Sequence, residues 1–285
     1  MKKYFALLSC ALMALTACEN NALEESTVMN PTASDPQEVT LTFSPYEQEA
    51  MTRAGGEATS IASIATRLDV WLYQDGQEVQ AIHQTSADAD FGSLTVTLDK
   101  RKTYTLYACA HKDTGAATLQ GGIITWPGAK MTHSMFYTQT FTPAETTALD
   151  CVMKRIVGQF RLDITDDIPA AVKTLRFEIP QTATRYDVTT QTNTNLTDRT
   201  TDISYGGTSA TFNLYLLAQD DDTTPFDITV TALDEEGQTV QQRTFSQVPI
   251  QNGYQTTYKG QFFTGSGIAA SFTVGDWQAF DVTEF

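Results

Sequence analysis

The sequence predicts an all-β protein made of two antiparallel β-sandwich domains in tandem. Three observations carry the sandwich expectation. Thr occurs 46 times in 285 residues, and with Tyr, Phe and Val it gives the chain a strand-forming composition. Many short segments alternate apolar and polar residues with period two. Turn signals separate them at roughly 8–12-residue spacing, as in sandwiches and barrels. Hydrophobic residues make up 41% of the chain and charged residues only 18%. That is ample material for a core and unlike an acidic disordered tail.

Residues 1–17 begin with Met1-Lys2-Lys3 and continue into an apolar run of twelve from Tyr4 to Leu15. This is the length of a signal-peptide core and too short to span a bilayer. Residues 18–37 are polar, with Pro31 and Pro36, and read as a flexible tether. The first sandwich is expected over 38–153. Its strands are read at 39–43, 68–73, 78–84, 94–98, 103–111, 123–126, 135–141 and 146–153, with a weak helical period over 61–67. Asp75-Gly76 marks a hairpin between the second and third. The second sandwich is expected over 154–285, with strands at 156–164, 175–179, 212–216, 226–232, 240–248, 255–263 and 271–274.

Lys and Arg number 18 against 34 Asp and Glu, a net charge of −16. Such a chain is repelled by nucleic acid and by anionic membrane surfaces, so nucleic acid is not an expected partner. The three histidines, His83, His111 and His133, show no metal-ligand spacing. No nucleophile elbow or phosphate loop is present. The histidines therefore read as surface or packing residues, and no catalytic residue, metal site or cofactor is expected. Asp88-Ala89-Asp90 and Asp220-Asp221-Asp222 fall in loops without the spacing of a calcium-binding loop, and read as solvated. Trp71, Trp126 and Trp277 read as core, with stacking on sugars as the functional alternative. Cys109 and Cys151 lie in predicted strands of an exported chain. Two outcomes are open for them: a disulfide, or two small buried thiols.

Leu15-Thr16-Ala17-Cys18 resembles the bacterial lipoprotein box. That resemblance implies cleavage before Cys18 and acylation of its thiol and amine (palmitate among the chains), enough to anchor stably in the outer membrane. Three further stretches widen the likeness. They are Ala50-Met51-Thr52-Arg53-Ala54-Gly55, Lys154-Arg155-Ile156-Val157-Gly158, and Val248-Pro249-Ile250-Gln251-Asn252-Gly253-Tyr254-Gln255-Thr256-Thr257-Tyr258-Lys259-Gly260 followed by Trp277. Together they resemble the fimbrillin superfamily of Bacteroidota, the subunits of type V pili, and that resemblance implies that the two sandwiches are transthyretin-like.

The resemblance implies an adhesive fimbrial subunit of the cell surface. An arginine-specific protease would cut between Arg53 and Ala54 and remove the strand carrying Val39, Leu41 and Phe43. A neighbouring subunit's strand would then fill the groove, with the donor placed by resemblance near residues 260–285. The implied partners are other fimbrial subunits in a homo- or heteropolymer, outer-membrane lipid through Cys18 before processing, and a host or bacterial surface ligand. Physically, removing a strand bares unpaired N–H and C=O groups and an apolar trough, and an incoming strand restores both. Loss of the leader leaves −18, and cutting after Arg53 removes seven acids and one base to leave −12. Alternative readings are an uncleaved, lipid-bearing anchor subunit, a glycan-capturing surface lipoprotein, and a sandwich hydrolase with paired carboxylates.

Overall fold

In chain order the strands are β1 (Pro36–Pro45), β2 (Arg67–Gln74), β3 (Gln77–Thr85), β4 (Ser93–Asp99), β5 (Tyr104–His111), β6 (Thr118–Gln120), β7 (Ile123–Thr125), β8 (Ser134–Phe141), β9 (Ala148–Arg155), β10 (Val157–Ile164), β11 (Thr174–Asp187), β12 (Thr192–Ser204), β13 (Thr211–Leu217), β14 (Thr224–Leu233), β15 (Thr239–Ile250), β16 (Tyr254–Gly260) and β17 (Thr273–Asp276). The computed structural model describes residues 34–46, 60–129, 131–207, 210–218, 224–264 and 273–276. The chain is all-β, as its alternation predicts. The helical period expected over 61–67 shrinks to one 3-10 turn, Ile61–Ser63, capped by the Ser60 hydroxyl, because β2 already begins at Arg67.

The first hydrogen-bonded path runs β3-β2-β5-β8-β9-β1-β4. It folds over at β8/β9, where only Met135↔Arg155 and Phe136↔Lys154 pair. One core lies inside the fold. Leu68, Val70 and Leu72 of β2 and Leu106 and Ala108 of β5 meet Val39, Leu41 and Phe43 of β1 and Val96 of β4. The second path runs β15-β14-β11-β13-β10-β16-β17, with β12 on the other side of β11. It turns where β11 meets β13 at the single pair Ala183↔Leu217. Phe160, Phe177, Leu214, Val230, Phe245 and Phe262 anchor its core.

The two halves share one topology. β1 is antiparallel to β4 and parallel to β9, and β10 is antiparallel to β13 and parallel to β16. The ladders β3-β2-β5-β8 and β12-β11-β14-β15 correspond strand for strand. Gly158, on β10, sits where Val39 sits on β1. A Cβ there would lie 2.4 Å from the Gln251 carbonyl oxygen, so close backbone approach demands glycine.

A third cluster joins the halves. Trp71, Cys109 and Phe136, on the outer face of the first ladder, pack with Ile124, Trp126, Tyr186 and Leu217. β7 pairs with β11 (Thr125↔Arg185, Ile124↔Tyr186, Ile123↔Asp187), so a hairpin from the first half extends a sheet of the second. Arg199 Nη2 donates to the Met131 carbonyl at 3.4 Å and Nη1 to the Tyr215 carbonyl at 2.8 Å. Burial lowers this guanidinium to about 10. His133 stacks on Tyr215, ring centroids 6.0 Å apart, and accepts from Arg155 Nε at 3.0 Å. Burial, then the charge of Arg155, pushes His133 down to about 3.

Two predictions follow from this packing. Gly158→Ala should lower stability by about 1–3 kcal/mol through overpacking, read as a reduced urea midpoint. The fold holds His133 neutral, whereas an unfolded His titrates at about 6.5. Its contribution is therefore complete above that pH and is lost as pH falls toward the lowered folded value. The loss runs at up to about 1.4 kcal/mol per pH unit. Urea titrations from pH 7 to 4 should show a shallower decline for His133→Gln than for the parent.

Candidate strand-exchange site

The alternation Val39-Thr40-Leu41-Thr42-Phe43 puts three apolar side chains on one face of β1. That face is sealed: Val39 and Leu41 are 0% exposed and Phe43 is 3% exposed. β1 is the middle strand of its layer. It pairs with β4 from Pro36↔Asp99 to Thr42↔Ser93 and with β9 from Thr40↔Ala148 to Pro45↔Met153. Its ends are fastened as well. The Asp35 carbonyl accepts from Lys100 N at 2.8 Å, and the Asp35 carboxylate meets Lys100 Nζ at 2.7 Å. Tyr46 N donates to the Met153 carbonyl at 2.7 Å, and Phe43 N to the Gly92 carbonyl at 2.8 Å.

Taking β1 away would leave two facing strand edges and a trough floored by Leu68, Val70 and Leu106. Each of the three β1 side chains contributes about 1.5–3 kcal/mol by burial. The strand is therefore held strongly yet carries no later strand with it, being the first among the described residues. Its counterpart β10 lacks that freedom, since β9 runs into β10 through Ile156 alone.

Cys18, Arg53, Ala54, Trp277 and Asp220-Asp221-Asp222 lie outside the described residues. Cys109 and Cys151 are both free and buried, so the disulfide that export would permit is not formed. Cys109 faces the third cluster and Cys151 the first core, on strands separated by β8. Two strand spacings are about 9–10 Å, beyond disulfide reach. Burial pushes the Cys151 thiol up to about 12. Asp88 closes its own turn, accepting from Thr85 N at 2.7 Å. Trp71 and Trp126 are each 2% exposed and belong to the third cluster. Among the described residues, no three or more His, Cys, Asp or Glu are grouped to hold a metal ion.

One polar cluster has no sequence signature. Asp69 is 0% exposed and faces His83 Nδ1 at 2.7 Å, His111 Nε2 at 2.9 Å and the Ala117 amide at 2.7 Å. Arg67 stands 3.7 Å away. The four groups converge only because β2, β3 and β5 are neighbours and the loop carrying Ala117 lies against them. Alternation along β2 points to Asp69's face but not to its partners. The cluster ties the loop before β6 to the sheet and presents no nucleophile.

Leu41→Ala should destabilise the protein by about 2–5 kcal/mol, the cost of a cavity at a fully enclosed site. Thr40→Ala, on the outer face of the same strand, should stay within about 0.5 kcal/mol. Thermal unfolding of the two variants side by side checks the difference.

The comparisons place this geometry among known proteins. A candidate adhesin from Bacteroides ovatus superposes with TM-score 0.52 at 12% identity, over 85% of this chain and 94% of its own. A candidate cell adhesion protein from Bacteroides uniformis gives TM-score 0.50 at 15% identity, over 85% and 99%. A candidate polysaccharide-binding protein from Bacteroides thetaiotaomicron gives 0.51 at 12%, over 85% and 96%. At such identities the likeness is one of fold. No curated protein matches the chain. The model of a family of unknown function, DUF6562, matches residues 132–283, more than half of the chain. The protein is therefore a member of the DUF6562 family, with an all-β fold similar to that of these Bacteroides proteins.

Proposed function

We propose that the protein is a fimbrial-type adhesion subunit of the cell surface. In this reading residues 1–17 are removed as a lipoprotein signal, and acylated Cys18 anchors the precursor in the outer membrane. Residues 38–153 and 154–285 form its two sandwich domains. Cleavage after Arg53 then frees β1, and a strand from another subunit takes its place.

The observation that carries the reading is the position of β1. It is the first strand among the described residues, the middle strand of its layer, and closed on its apolar face. Arg53 follows it by eight residues, beside Ala54-Gly55-Gly56, small residues that a protease cleft accepts. An apolar middle strand is costly to lose and restores much on replacement, which suits a durable joint. Shared fold with candidate adhesion proteins adds support.

N-terminal sequencing of the surface-exposed protein tests this. A chain starting at Ala54 is expected, and Arg53→Ala should abolish both that start and the polymer ladder on mild, unheated electrophoresis. A chain starting at acylated Cys18 would instead make the protein an uncleaved anchor. Capture of glycans is a second reading, favoured by the half-buried Tyr73–Tyr107 pair, 5.5 Å apart and edge-on. The fold shared with a candidate polysaccharide-binding protein favours it too. Specific millimolar or tighter binding of a sugar by the monomer on a glycan array would support it.

A further inference from the structure

The second core ends on a clasp rather than on a strand. After β16 the chain enters the interior at Phe262, which is 0% exposed. Asp166, in the turn after β10, receives the three successive amides of this segment. Oδ1 accepts from Phe262 N, and Oδ2 accepts from Phe263 N and Thr264 N, each at 2.7 Å. The Thr264 hydroxyl adds a fourth bond at 3.0 Å. From the opposite side Arg243 Nε donates to the Phe262 carbonyl at 2.7 Å, and its guanidinium stands 5.8 Å over the Phe262 ring. Thr165 N donates to the Gly260 carbonyl at 2.9 Å. Burial works to raise the Asp166 carboxyl, but the three amides together hold it below the ordinary carboxylate range.

β17 is attached differently. It meets the protein along one edge of β16, through four residue pairs from Tyr254↔Asp276 to Thr257↔Thr273. The first half supplies a control. Its β9 holds the same place beside β1 that β16 holds beside β10, yet among the described residues no strand lies on that outer edge of β9 over 148–153. The shared topology therefore closes a core without a strand equivalent to β17.

We propose that Asp166 is a lock that completes the second core at Phe262–Thr264 and so leaves β17 an edge strand that opens without unsealing that core. Residues 260–264, included in the donor segment by resemblance, then belong to the body of the protein.

Hydrogen exchange of the whole mature chain, followed amide by amide by NMR, tests the lock. Amides of Thr273–Asp276 should exchange through a small opening that leaves Phe262, Phe263 and Thr264 protected. Asp166→Asn puts an amide donor where Oδ2 accepts three bonds. It should speed exchange at 262–264 by at least about tenfold while leaving 273–276 unchanged. Should that variant fail to fold, Thr264→Val removes only the hydroxyl bond and should produce a smaller acceleration confined to 262–264. Exchange of 262–264 together with 273–276 in the parent, or unchanged protection in a folded Asp166→Asn chain, overturns the lock.

Discussion

Everything in the first half is arranged around the seat of β1. Its three inward side chains complete a core whose other walls, β2 and β5 below and β4 and β9 beside, cannot meet without it. A middle strand also satisfies two rows of backbone groups at once, so its loss bares a donor and acceptor ladder on each flank as well as apolar surface. The strand is local in sequence and global in effect. That combination makes its replacement chemically meaningful.

The repeated topology explains why the second half differs in what it can give up. β10 holds the equivalent seat, but it continues from β9 through one residue and is closed tightly enough that Gly158 tolerates no side chain. Excision at β10 would divide the protein. The second half instead seals its core at Phe262 and places a further strand outside the seal. One plan has been finished in two ways, with the first described strand inside the body of one half and the last described strand outside the body of the other.

Much of this architecture could be read from side-chain alternation. Val39-Thr40-Leu41-Thr42-Phe43 and Phe212-Asn213-Leu214-Tyr215-Leu216 each announce a half-buried strand, and both are found with the predicted face inward. β12 escaped because its sequence, Thr-Asn-Thr-Asn-Leu-Thr-Asp, is polar on both faces. It pairs only with β11, and its Leu196 is 61% exposed. The duplication escaped because it resides in pairing order: Val39 corresponds to Gly158 and Leu41 to Phe160, residues alike only in facing inward. Polar clusters escaped for a related reason. Asp69 and Asp166 are single carboxylates whose hydrogen-bond partners lie 14 to 98 positions away, and no local period encodes such meetings. The resemblance carried by Cys18 and Arg53 pointed to a use for β1, but neither residue lies in the described part of the fold.

The β7–β11 pairing has a mechanical consequence. A hairpin of one half lengthens a sheet of the other while the backbone crosses from β9 to β10 beside it, so the halves are joined at two places. Two attachments remove the swivel that a single linker would leave. In the strand-exchanged polymer proposed above, tension would therefore pass through each body without bending it, and compliance would gather at the joints between them.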